Sequence, residues 1–213
     1  MDEISKLRRD YSLMALNEGD VKSDPLNQFS IWFNEAVKAQ INEPNAMHLA
    51  TITVDGRPSG RMVLLKGLQP EGFTFYTNYQ SNKGKELDHQ PACCLTFFWP
   101  ELERQIRIEG VTERLSEQVA EQYFQSRPRG SQIGAWASPQ SAVIKNRKIL
   151  EDRMHDLATK FGDTNPIQKP RQWGGYLVRP FLIEFWQGRS NRLHDRIRYL
   201  LAGDKWEIRR LAP

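Results

Sequence analysis

Two runs, Ala46-Met47-His48-Leu49-Ala50-Thr51-Ile52-Thr53-Val54 and Ser59-Gly60-Arg61-Met62-Val63-Leu64-Leu65-Lys66, are separated by the turn residues Asp55-Gly56. Apolar, β-branched runs on either side of an Asp-Gly pair predict a β-hairpin. The same signal continues outward. Gly72–Asn78 alternates Phe73, Phe75 and Thr77 against Thr74 and Tyr76, the period of a strand. Ala92–Trp99 and Arg104–Leu115 read as two more strands. Gly175–Val178, Leu182–Gln187, Leu193–Leu201 and Lys205–Leu211 end the chain, the last pair turning at Gly203-Asp204.

Helices interrupt this pattern. Asp24-Pro25 is a helix-start signal, with Asp as cap and Pro in the first turn. Leu26, Phe29, Phe33 and Val37 then predict an amphipathic helix over 25–41. Ser81–Gln90 reads as a short polar helix, and Ser116 opens another to about Gln125. Pro128–Ser138, rich in Gly, Ser and Pro, reads as a loop. Ser141–Phe161 reads as a long helix with Ile144, Ile149, Leu150, Met154 and Leu157 as its stripe, and 162–170 as a linker. Strands, then helices, then strands do not make a regular parallel α/β alternation. An antiparallel barrel or sheet with flanking helices is expected instead. Residues 1–23 are expected as a polar arm or short helix, and 24–213 as a single domain. No Gly-rich strand-to-helix turn of the dinucleotide or P-loop kind is present.

The chain has 213 residues, 39% of them hydrophobic, with 10 Phe, 6 Trp and 6 Tyr, which predicts a folded chain. Its longest apolar stretch, Ala92–Trp99, is far below the ~20 residues that span a bilayer. The start of the sequence lacks a signal-peptide core, and Cys93 and Cys94 are adjacent, so a cytoplasmic, reducing setting is expected. A net charge of +4 is too small to imply nucleic-acid binding. Residues 171–213 hold nine Lys/Arg against four Asp/Glu, a local +5, which makes a small phosphorylated ligand worth testing.

Five segments could carry chemistry. If 192–196 is a strand, Arg192, His194 and Arg196 share one face. Tyr123, Arg127 and Ser131 supply a phenol, a guanidinium and a hydroxyl at spacings of four, which suits a phosphate; arginines capping a helix end are the plainer reading. Arg61 and Lys66 flank an apolar strand on opposite faces, so joint contact with a ligand needs a bulge or Lys66 past the strand end. Gln105, Arg107 and Glu109 share a face. Gln140 and Ser141 precede the long helix, where Ser141 also fits as its cap. No metal-ligand spacing and no nucleophile elbow is present.

These segments, together with Phe75–Asn78, Glu103-Arg104-Gln105, Ser131–Trp136 and Ile183–Gly188, resemble the pyridoxine/pyridoxamine 5′-phosphate oxidase family over nearly the whole chain. The resemblance implies a mainly β fold with flanking α-helices: an antiparallel split β-barrel of Greek-key type that binds FMN at the interface of a homodimer, with dimerisation strands at about 173–213. It implies that Arg61, Met62, Val63, Leu64, Leu65, Lys66, Tyr76, Thr77, Ser81, Asn82, Lys83 and Gln105 hold FMN from one subunit. Gln140, Ser141, Trp186 and Arg196 would reach it from the other. Lys66, Tyr123, Arg127 and Ser131 would bind the phosphate of a phosphorylated B6 vitamer. Arg192 and His194 would lie over the pyridine ring as the catalytic pair, and Arg8 and Tyr11 would close over the substrate. The family often has arginine where this chain has Asn82, which implies weaker FMN binding at most. A split-barrel reductase, or a non-catalytic carrier of FMN or pyridoxal phosphate, remains the alternative.

Overall fold

The computed structural model describes residues 2–7 and 10–213. Arg8, expected at the substrate, lies outside the described residues. In chain order the elements are α1 (Asp2–Lys6), α2 (Pro25–Lys38), β1 (Ala46–Ile52), β2 (Pro58–Leu64), β3 (Gly67–Gln69) and β4 (Gly72–Asn78), then α3 (Asn82–His89), β5 (Ala92–Trp99) and β6 (Arg104–Arg114). After them come α4 (Glu117–Ser126), α5 (Arg129–Ala137), α6 (Lys148–Phe161), β7 (Trp173–Gln187), β8 (Asp195–Ala202) and β9 (Lys205–Leu211). The strands form one antiparallel sheet in the order β2-β1-β5-β6-β7-β4-β3, with β8 on β7 and β9 on β8. This is the expected split barrel with flanking helices.

The Asp55-Gly56 hairpin forms as expected, with Ala46 opposite Leu64 through Ile52 opposite Pro58. The barrel splits at β7. Its residues 173–178 pair with β4 and 182–187 pair with β8, while β6 runs along its other edge. The register against β6 shifts between Glu109, opposite Leu182, and Gly110, opposite Pro180, leaving Phe181 as an extra residue. Proline has no N–H to give the ladder and a bulge bends a strand. The two strands expected at 175–178 and 182–187 are therefore one bent strand.

Helix α2 starts as expected. Asp24 accepts from the N–H groups of Leu26 and Asn27, with Pro25 in the first turn. Its buried face is Phe29, Trp32 and Ala36, whereas Val37 is exposed. Phe29 meets Phe73 and Phe97 edge-on at 4.9 and 5.1 Å, inside the barrel core. A second, smaller core of Phe124, Ile133, Ile167 and Trp173 lies among α4, α5 and the start of β7.

Three expectations are corrected. Residues 129–137 are helix α5, not a loop. Its Gln132 donates to the carbonyls of Phe124 and Gln125 at 3.0 and 3.2 Å, and Ile133 and Ala137 are buried, so tertiary contact outweighs the poor helix propensity of Gly130 and Gly134. Helix α6 starts at Lys148 rather than Ser141, which sits at φ 71° and is no cap. Arg192 and His194 precede β8 instead of sharing its face with Arg196; Arg192, at φ 61°, ends a short 3-10 turn.

A Cβ on Gly110 would lie 2.5 Å from the carbonyl oxygen of Arg179, because the bulge brings the two backbones together. Gly110→Ala is expected to destabilise the fold by about 1–3 kcal/mol. Chemical denaturation reads this directly, and an unchanged midpoint would contradict the role given to the bulge.

Candidate functional site

A cleft of about 440 Å³ opens between the end of β2, strand β4 and helices α3, α4 and α5. Lys66, Lys83 and Arg127 line it, together with Tyr76, Thr77, Tyr123, Ser131 and Gln140. No carboxylate is among its described lining residues. Three cations with no carboxylate beside them in the lining make a site for anions.

Each wall follows from local structure. Strand β2 ends at Leu64, so Lys66 lies past the strand end and lines the cleft. Ser81 caps α3, accepting from Gly84 N and donating to Asn78 O, and so spends its hydroxyl inside the fold. That cap aims the first turn of α3 at the cleft. Lys83, beside it, reaches Thr77 Oγ1 at 3.4 Å. Burial, and then the nearby Arg61, push the Lys83 ammonium below its ordinary value. Arg61 itself does not line the cleft. It is held by Thr51, by Ser59 at 2.6 Å and by Glu86 at 2.8 Å.

The opposite wall is aromatic and basic. Tyr76 stacks on Tyr123 at 3.9 Å and on Trp173 at 5.4 Å. Arg127, at the C-terminal cap of α4, lies with its guanidinium carbon 4.6 Å from the Trp173 ring. Its Nη1 is buried with no hydrogen-bond partner among the described residues. Burial shifts Arg127 below the usual arginine value. A buried, unmatched guanidinium nitrogen fits an anionic ligand at this point.

The grouping of the expected residues differs from the expectation in two places. Gln140 and Ser141 were expected from the opposite subunit, yet they fold onto their own chain. Gln140 Oε1 accepts from Thr77 Oγ1 at 3.1 Å and Asn78 N at 3.3 Å, and Ser141 Oγ accepts from Asn82 N at 3.2 Å. Gln105 was expected with the first set, yet it stands directly opposite Trp186, which stands opposite Arg196, in one row across β6, β7 and β8. None of these three lines the cleft. Leu65 is buried in the core, while Met62, Val63 and Leu64 line the cleft. Asn78, in the Phe75–Asn78 stretch but given no role from sequence, also lines it, and so does Trp173, which was not singled out because it sits in no spacing that marks it as functional.

The row from Gln105 to Arg196 carries a second cluster. The rings of Trp186 and His194 are 4.6 Å apart, and Tyr11 meets both edge-on at 5.8 Å. His194 Nδ1 accepts from Arg189 N at 3.1 Å. Burial, then the charge of Arg192, push His194 below its ordinary value, so the ring is neutral at pH 7 with its proton on Nε2. Arg196 is ion-paired to Glu184 at 2.7 Å. The arm is fastened over this cluster. Glu103 accepts from Ser12 N and Leu13 N at 2.9 and 3.0 Å, and Asp195 accepts from Leu16 N at 3.0 Å. Arg210 grips Glu18 with two bonds, at 2.7 and 2.8 Å, and Asp195 with a third at 2.8 Å.

A split barrel with an anion cleft beside it is the architecture of the flavin-binding split-barrel proteins. Family models described as pyridoxamine 5′-phosphate oxidase and as the pyridoxine 5′-phosphate oxidase C-terminal dimerisation region match residues 33–161 and 173–213. The chain belongs to the pyridoxine/pyridoxamine 5′-phosphate oxidase family. It is 54% identical to the pyridoxine/pyridoxamine 5′-phosphate oxidase of Acaryochloris marina, over 99% of this chain and 95% of that one. It is 52% identical to the enzyme of that name from Salinibacter ruber, over 100% of both chains. Among solved structures, PhzG from Burkholderia lata 383, in complex with tetrahydrophenazine-1-carboxylic acid, aligns with a TM-score of 0.89 at 29% identity, over 96% of this chain and 100% of that one. No described helix is long and apolar enough to cross a membrane.

The arm clamp gives a pH-dependent prediction. The hydrogen bond from Arg210 holds Glu18 down from 4.5 to about 2. A lowered carboxylate stabilises the fold above its unfolded value, and that contribution is lost as the pH falls through the folded value. Arg210→Ala should therefore lower the melting temperature at pH 7, and its gap from the unmodified chain should narrow as the pH drops from 4.5 toward about 2. A gap independent of pH in thermal melts would contradict the clamp.

Proposed function

We propose that the protein oxidises pyridoxamine 5′-phosphate and pyridoxine 5′-phosphate to pyridoxal 5′-phosphate with FMN, at a site completed by a second copy of the chain. The observation that carries this reading is the buried, unpartnered Arg127 Nη1 in a cleft with three cations and no described carboxylate. Family membership supports the substrate class.

In this reading Arg127, Ser131, Tyr123 and Lys66 bind the vitamer phosphate. Burial raises the Tyr123 phenol above its ordinary value, so it stays protonated and donates. Lys83, Thr77, Gln140, Ser141 and the first turn of α3 hold FMN from the same chain, with Met62–Leu64 and Tyr76 as walls and Arg61, paired to Glu86, behind Lys83. The vitamer phosphate is remote from the reacting carbon, so its binding energy serves orientation.

The remaining groups come from the partner subunit. Trp173 and Trp186 are thirteen residues apart on one strand, roughly 40 Å of chain at about 3.3 Å per residue, and only Trp173 lines the cleft. Gln105, Trp186 and Arg196 of the partner subunit would cover the flavin, and its Arg192 and His194 the substrate ring. The family's C-terminal dimerisation region, matched at 173–213, supports this pairing. FMN, if bound here, would supply a two-electron acceptor for the hydride of the substrate carbon, with dioxygen as the final acceptor and hydrogen peroxide as product; the alcohol would give the aldehyde directly, and the imine from the amine would be hydrolysed by water with release of ammonia. Neutral His194, with its proton on Nε2, offers a donor to the ring substituents, and Arg192 offers a fixed positive charge. The arm, carrying Tyr11, excludes water. Free Cys93 and Cys94 accord with a cytoplasmic setting.

Purified protein is expected to carry FMN absorbance and to consume dioxygen with either phosphorylated vitamer, releasing equimolar peroxide. No oxygen uptake with either, alongside turnover of a nicotinamide cofactor, would move the reading to a reductase of the same fold. Arg192→Ala should cut turnover roughly tenfold or more with FMN still bound. Near-normal steady-state kinetics in that variant would remove Arg192 from the site.

A further inference from the structure

Arg127 has an unusual support. A buried or half-buried arginine is ordinarily held by a carboxylate, as buried Arg104 is by Glu35 and half-buried Arg107 by Glu184. Arg127 has no such partner among the described residues and rests on the ring of Trp173 instead. Trp173 is 6% exposed and fixed in place. Its N–H donates to Pro170 O at 3.0 Å, its carbonyl accepts from Lys169 Nζ at 2.9 Å, and it stands opposite Asn78 in the sheet. Its ring is nearly parallel to those of Tyr76 and Tyr123, at 11° and 6°.

The two kinds of support differ in what they leave over. A carboxylate neutralises the guanidinium and occupies its N–H donors. An aromatic face attracts the cation through its quadrupole while leaving the charge and the in-plane N–H groups unspent. A ring that merely filled the core would need no cation on its face.

We propose that Trp173 is the positioning residue for Arg127, and that it thereby sets the preference for phosphorylated over unphosphorylated substrate. The inference deepens the functional reading above and rests on it for the identity of the substrate. The expected effect of losing the ring is about tenfold in phosphate affinity, the size of a desolvated cation–π contact.

The test uses FMN-loaded protein, so that the flavin's own phosphate site is filled. Inorganic phosphate is titrated calorimetrically, and kcat/KM is measured for pyridoxamine 5′-phosphate and for pyridoxamine. Trp173→Leu should weaken phosphate binding about tenfold and lower the ratio of the two kcat/KM values by the same factor. Trp173→Phe, which keeps a smaller π face, should lose about threefold, and it serves alone if the leucine variant does not fold. Arg127→Gln removes the cation, so adding Trp173→Leu to it should cost nothing more. General loosening of the fold would lower activity on both substrates equally and leave the ratio unmoved. Unchanged phosphate affinity in Trp173→Phe, or additive losses in the double variant, would overturn the proposal. If the unmodified protein binds phosphate with this dependence on Trp173 but does not oxidise the vitamers, the functional reading fails and the positioning role stands.

Discussion

Strand β7 is the constraint on which the rest depends. It is 15 residues long and bonds to three other strands, β6 along one edge and β4 then β8 along the other. Strands β4 and β8 share one edge of β7, and Pro180 with the extra Phe181 bends β7 between them. The bend sends the two ends of β7 to different places. Trp173 at one end stands in the anion cleft, and Trp186 at the other stands in the row with Gln105 and Arg196. One chain thus carries two separate clusters, and in the proposed function each supplies half of a site completed by a second copy.

Charge pairing separates arginines that hold the fold from those free to hold a ligand. The basic surplus in 171–213 looks from sequence like an anion surface. In the structure Arg179 pairs with Glu113, Arg189 with Asp195, Arg196 with Glu184, Arg209 with Glu207, and Arg210 with Glu18 and Asp195. Exposed pairs of this kind contribute little individually. Their consequence is that the surplus is largely matched locally. Glu184, buried between Arg107 and Arg196, is the exception in kind, since removing it would leave Arg196 without a carboxylate and Arg107 with Glu109 alone. The cleft inverts the arrangement. Lys83 and Arg127 are half-buried and lie among hydroxyls, amides and rings, so their charge remains for an incoming anion.

Much of the fold was legible because local chemistry and tertiary structure agree there. The Asp55-Gly56 hairpin, the Asp24, Ser81 and Ser116 caps and the Gly203-Asp204 turn each carry a signal within four residues, and each forms as read. Helix α5 was illegible because its stability comes from Gln132 closing the end of α4 and from Ile133 in the second core, contacts without periodic signature. The start of α6 was misplaced for the converse reason: Gln140 and Ser141 bond to β4 and α3 and hold the chain out of helix. In the site, Lys66 and the Tyr123–Arg127–Ser131 set could be singled out by residue type and spacing. Trp173 could not, because a tryptophan opening a strand looks like any core residue until the cation on its face is seen. The separation of Trp173 from Trp186 has no linear signature, since it depends on which way each end of β7 points; the family resemblance alone implied that Trp186 and Arg196 act from the opposite subunit.

The most direct measurement is complementation between two inactive variants, one in each half-site. Arg127→Ala removes the phosphate anchor in the cleft, and Arg192→Ala removes the charge in the loop before β8. If the site is built from two chains, dissociating and reassociating an equal mixture makes hybrids in which one of the two sites is intact. Activity should then return to about a quarter of the unmodified protein's level, the share of intact sites in a random dimer mixture. A mixture that stays as inactive as its components, despite hybrid formation seen by mass spectrometry, would contradict the two-chain site.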